Sequence, residues 1–152
     1  MSGLNHRFLL IENESLVFDD FLVYKDCDCV QLHDDFLQYF KDSIQWISSK
    51  NPYSDESLMG LCWYGPTIID DAGIKKTRDI IESWIQLLSL APDNLELTGS
   101  YGWIEGEPKD QGKYQKLVFN KVDILTELSK LVCYCESVIN SNGSKCLLHL
   151  GV

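Results

Sequence analysis

The residue pattern predicts an α+β domain: a mixed, mainly antiparallel sheet of about six strands with three helices, in the order ββαβαββαβ. Three observations predict it. Apolar residues recur at helical spacing in three long segments. Two pairs of β-rich runs are joined by polar connections, as in hairpins. The helices are interleaved with hairpins as well as single strands, which does not fit a regular doubly wound sheet.

Residues 6–12 and 16–24 are the first two β-rich runs, separated by Asn13-Glu14-Ser15. Asp19-Asp20 interrupts the second run, which a bulge or an exposed edge accommodates. The first helix is expected over residues 34–48. Phe36, Leu37, Phe40, Ile44 and Ile47 share one of its faces, and Asn51-Pro52 ends it. Asp34 and Asp35 suit the positive end of its dipole.

Residues 58–69 are nearly continuously apolar and read as a central strand buried on both faces. Gly65-Pro66 breaks it, because proline has no ladder donor. The second helix is expected over residues 72–90, with Asp70 or Asp71 as cap and Ile74, Thr77, Ile80, Ile81, Trp84, Ile85 and Leu88 on its stripe. Residues 95–104 and 113–119 form the second expected hairpin, with a charged connection between them. The third helix is expected over residues 121–139, with Asn120 as N-cap and Asp123 three residues on. A last strand, 145–152, follows the Ser141-Asn142-Gly143 turn.

The 152 residues read as a single domain, 1–152. A chain of this length buries roughly 68–70% of its unfolded surface, so it needs no staples. The formal net charge is −10, from 13 Lys and Arg against 23 Asp and Glu. That sign, with no basic run longer than Lys75-Lys76, argues against direct nucleic-acid binding. It suits docking onto a basic protein, although solubility alone also accounts for it. Residues 1–60 carry four basic and eleven acidic side chains, a net of −7. The N-terminus lacks a signal-peptide pattern and no run approaches a membrane span, so the expected location is the cytoplasm, with reduced thiols.

Several constellations could carry chemistry. Cys27 and Cys29, with Cys133 and Cys135, could supply four zinc ligands, but their one-residue spacing is wrong for a zinc knuckle. On a helix, Cys133 and Cys135 point about 200° apart, so reduced core cysteine is the simpler reading. His6, His33 and His149 could each serve a base, for example His33 near Cys29. Nothing in the sequence brings a nucleophile, a base and an orienting group together. Asp19, Asp20, Asp26, Asp28, Asp34 and Asp35 lack the order of a calcium loop. They fit a partner-facing acidic patch or plain solvated surface. Gly99, Gly102, Gly106 and Gly112 lack the Lys-Ser/Thr of a phosphate loop and read as turns. Trp63, Tyr64, Tyr101 and Trp103 would cluster if their strands were neighbours. Between two glycines, at least one of Tyr101 and Trp103 should be partly exposed.

The segments Gly60-Leu-Cys-Trp-Tyr-Gly-Pro-Thr67, Leu95-Glu-Leu-Thr-Gly-Ser-Tyr-Gly-Trp103 and Leu147-Leu-His-Leu-Gly-Val152 span most of the chain. With them, it loosely resembles the α+β immunity proteins of bacterial polymorphic-toxin and contact-dependent growth inhibition systems. The resemblance implies a cytoplasmic protein that binds and neutralises a cognate toxin domain, often a basic nuclease. It transfers no binding residue by position. The acidic charge agrees with it. The contact residues expected on this reading are Asp19, Asp20, Asp26, Asp28, Tyr101, Trp103, Glu105, Glu107 and Asp110. No catalytic residue, metal or cofactor is expected. The alternatives are a small cytoplasmic enzyme with a Cys/His or carboxylate–metal site, and a non-catalytic adaptor or chaperone.

Overall fold

The structure, a computed structural model, describes residues 4–16, 20–54 and 56–152. Its centre is a six-stranded antiparallel sheet made of β1 (Asn5–Glu12), β2 (Val30–His33), β3 (Ser48–Lys50), β4 (Ser57–Met59), β5 (Pro66–Ile69) and β8 (Lys145–Leu150). The spatial order is β2-β1-β8-β5-β3-β4, and every neighbouring pair runs antiparallel. Between β5 and β8 in the chain, β6 (Asn94–Gly102) and β7 (Lys113–Asn120) pair as a separate two-stranded sheet. The α+β class and the mainly antiparallel sheet of six strands therefore stand, with the two-stranded ribbon in addition among the described residues. The helices are α1 (Asp34–Tyr39), α2 (Lys41–Ile44), α3 (Ile74–Ser89) and α4 (Lys121–Ile139).

Alternation along the strands sorts the core into two layers. Phe8, Val30, Leu32, Ile69 and Leu147 face the helices, where Ile81, Trp84, Leu88, Leu128, Leu131 and Val138 meet them. Leu9, Ile11, Ile68, Cys146 and Leu148 face the other way and are covered by Tyr24, with Phe21 and Leu16 beside it. Each Leu or Ile fully withdrawn from water in these layers contributes roughly 1.5–3 kcal/mol.

α3 and α4 match their expected segments closely. Asn120 accepts from the Asp123 amide at 3.1 Å, so the N-cap forms as its residue type requires. Asp70 does not cap α3 directly. Gly73 occupies that position, while Asp70 accepts from Ala72 N at 3.0 Å and holds the turn before it. After α4, Asn142 and Gly143 both take positive φ, 53° and 82°, and return the chain into β8.

Three expectations change. The strands beside β1 are residues 30–33 and 145–150, and the described part of the expected second strand, residues 16 and 20–24, is not one of them. In that segment, Asp20 accepts from Leu22 N at 2.9 Å and starts a 3-10 turn, Phe21–Tyr24. Phe21 and Tyr24, three apart, then cover the sheet together. The expected first helix stops at Ile44 and is interrupted at Phe40, where ψ is 17°. Of the expected apolar stripe, Phe36, Leu37, Ile44 and Ile47 are buried and Phe40 is partly so. Phe40 leaves helical geometry to stack on Trp84, with ring centroids 4.7 Å apart, and residues 48–50 become strand. The apolar run 58–69 is two strands. The β4 part lies on the sheet edge, and the chain leaves it at Gly60 before β5 enters the interior at Pro66.

Candidate functional site: an exposed hairpin and a buried histidine pair

The base of the β6–β7 hairpin is tied to the body by Leu95, Leu97 and Leu117, all buried. Beyond them the ribbon leaves the core. Thr98 pairs with Lys116 and Tyr101 with Tyr114, so Gly99 and Ser100 both oppose Gln115 in a bulge. From residue 100 to residue 115, all but Gly112 are exposed.

This end is held by its own aromatic cluster. The Tyr101 ring lies 5.1 Å from Tyr114 and 6.3 Å from Trp103. The Tyr101 hydroxyl donates to Lys109 O at 2.6 Å, and the Lys109 ammonium sits 5.2 Å over Trp103. Gly112 lies beneath Tyr101, where a Cβ would come within 2.8 Å of the ring and 2.3 Å of Gly102 O. Despite these contacts, Tyr101, Trp103 and Tyr114 are 38%, 48% and 66% exposed. Both aromatics singled out in the sequence are therefore partly exposed. Glu105, Glu107 and Asp110, on the connection between the two strands, are exposed as well.

The other expected contact residues lie elsewhere. Asp19 falls outside the described residues. Asp20 and Asp26 are exposed on the segment that covers the second sheet face. Asp28 is exposed but engaged. The Lys130 ammonium donates to it at 2.7 Å and the Tyr134 hydroxyl at 3.0 Å, and together they hold its carboxyl below the ordinary value. The Asp20–Asp28 group and the hairpin group thus sit on separate elements. Nor do the four aromatics converge: Trp63 lies in the loop before β5 and packs on His6, while Tyr101 and Trp103 meet at the hairpin end.

Trp63 instead joins a cluster that the sequence did not disclose. His6 on β1 and His149 on β8 project from the same sheet face, since Phe8 is the register partner of His149 and His6 lies two residues from Phe8. His6 Nδ1 and His149 Nε2 are 2.8 Å apart. His6 Nε2 donates to Asp34 Oδ1 at 2.9 Å, and Trp63 Nε1 donates to the same oxygen at 2.6 Å. Gln38 Nε2 donates to Asp34 Oδ2 at 2.5 Å. Burial alone would raise the Asp34 pKa, but the bonds from His6, Gln38 and Trp63 outweigh it and hold the carboxyl below its usual value. Burial, then the neighbouring His6, pushes His149 down to about 3. Both histidines are 0% exposed, so neither imidazole reaches a substrate in this conformation. What the cluster does in this geometry is pin β1, β8, α1 and the loop before β5 to one another.

The cysteines divide the same way. Burial pushes Cys135 up to about 12 and Cys146 up to about 11, so both remain thiols. Cys27, Cys62 and Cys133 are exposed and Cys29 partly so. Among the described residues, no three His, Cys, Asp or Glu side chains are grouped to hold a metal ion, and no helix is long and apolar enough to cross a membrane. Comparison with protein-family models, with curated proteins and with solved structures finds no match to this chain.

Proposed function

We propose that this chain is an immunity-type protein that binds and neutralises a cognate toxin domain, with the end of the β6–β7 hairpin as its principal contact. One observation carries the reading. Three aromatic rings are gathered on a ribbon whose outer half, residues 100–115, is exposed apart from Gly112. Tyr and Trp anchor protein interfaces disproportionately, and their rigid rings lose little entropy on docking. Glu105, Glu107 and Asp110 lie on the same exposed stretch as Lys109 and Lys113, so the hairpin end is of mixed charge, while the net charge of −10 over the whole chain suits a basic partner. A hairpin that projects in this way fits a concave surface such as an enzyme cleft.

The enzymatic alternative has less support, since both imidazoles of the His6–His149–Asp34 group are fully buried and, among the described residues, no Ser, Thr or Cys side chain is hydrogen-bonded to them. The test is to identify the protein encoded by the neighbouring gene and, where it is a large secreted protein, to titrate its C-terminal domain calorimetrically against this chain. Trp103→Ala with Tyr114→Ala should weaken binding at least a hundredfold while leaving the circular dichroism spectrum unchanged. Full affinity in that double variant rejects the hairpin, and absence of any binding by the native chain rejects the toxin reading.

A further inference from the structure

At the root of the hairpin, beside the bulge, a groove of about 180 Å³ separates it from α1. Asp35, Gln38 and Tyr39 form one wall, and Thr98 and Ser100 stand opposite, with Gln115 alongside. No Lys or Arg lines it.

Two features make this groove a set of acceptors. The Asp34 carboxylate can only accept, so the Gln38 amide must turn its NH₂ toward Asp34, leaving Oε1 as its free end. His33 Nδ1 lies 3.7 Å from the Asp35 carboxylate, yet it also accepts from Asp35 N at 3.1 Å. A ring nitrogen that accepts carries no proton, so His33 in this arrangement does not neutralise Asp35. The groove therefore presents a carboxylate and a carboxamide oxygen, with Ser100 on the facing strand, beside the half-exposed face of Tyr39.

We infer that this groove receives the side chain of an arginine from the protein partner. The inference rests on the binding reading above and names the chemistry met beside the aromatic end. Guanidinium brings five donors in a plane that can also stack on an aromatic ring, which is the complement of this wall. A lysine ammonium offers three donors at one point and cannot stack as a plane.

The probe is N-acetyl-argininamide, titrated into the full chain and followed by the NMR signals of the Gln38 and Gln115 side-chain amides and the Gly99 amide. These three should shift saturably together. The uncharged citrulline analogue should give no saturable shift, and Asp35→Asn should weaken the response at least fivefold. Equal responses to arginine and citrulline amides, an equally strong response to N-acetyl-lysinamide, or shifts centred elsewhere would overturn the assignment. Because no toxin domain is present, failure here leaves the Trp103/Tyr114 test untouched, and failure there leaves this one readable.

Discussion

His6 and His149, 143 residues apart in the chain, share one hydrogen bond in a fully buried site. Asp34 accepts the proton of His6 Nε2, and the bond between His6 Nδ1 and His149 Nε2 ties β1 to β8. His149 Nδ1 is the one buried side-chain nitrogen or oxygen without a partner among the described residues.

This arrangement makes stability pH-dependent. The folded pKa of His149 is depressed to about 3 from an ordinary 6.5. Between those values the unfolded chain binds the extra proton, so stability is lost as pH falls. The loss from this group should reach about tenfold in the folding equilibrium per pH unit. Asp34 adds to it only below its ordinary 3.8, where protonation removes the acceptor of His6 and Trp63. Urea midpoints measured from pH 7 to pH 4 should therefore fall, and His149→Gln should flatten the slope. A native chain with no slope in this range contradicts the assignment.

Asp34→Ala should destabilise the fold by about 3 kcal/mol, because three donors lose a charged acceptor in a largely dry site. Asp34→Asn should cost less. The indole N–H signal of Trp63, separable from those of the other tryptophans, should move upfield in both. An unmoved signal would mean that the Trp63–Asp34 bond is not formed in solution.

Gly112→Ala should act locally. The added methyl meets Gly102 O and the Tyr101 ring, so the exposed end of the hairpin must rearrange. Amide exchange should accelerate across residues 99–115, while β1, β8 and α4 keep their protection. Loss of protection throughout the molecule would show that the hairpin end supports the core after all.

Thiol titration should separate the cysteines by burial. Cys27, Cys29, Cys62 and Cys133 should react with a disulfide reagent in the native protein. Cys135 and Cys146 should react only on unfolding, because their thiols are both inaccessible and held protonated. Six fast equivalents without denaturant would contradict the packing around these two.

The chain's local order was enough to determine α3, α4, the β6–β7 ribbon and the Asn120 cap, together with the partial exposure of Tyr101 and Trp103. Helical periodicity, capping and turn chemistry act within a few residues, so the sequence states them directly. It could not state that residues 5–12 lie between 30–33 and 145–150, or that β6 and β7 leave the main sheet. Those pairings join segments far apart in the chain, and they are settled by which faces can be buried together. The His6–His149–Asp34–Trp63 cluster exists only through them. The Asp35–Gln38 groove needs the bulge and the short first helix side by side, and the tertiary structure alone decided that.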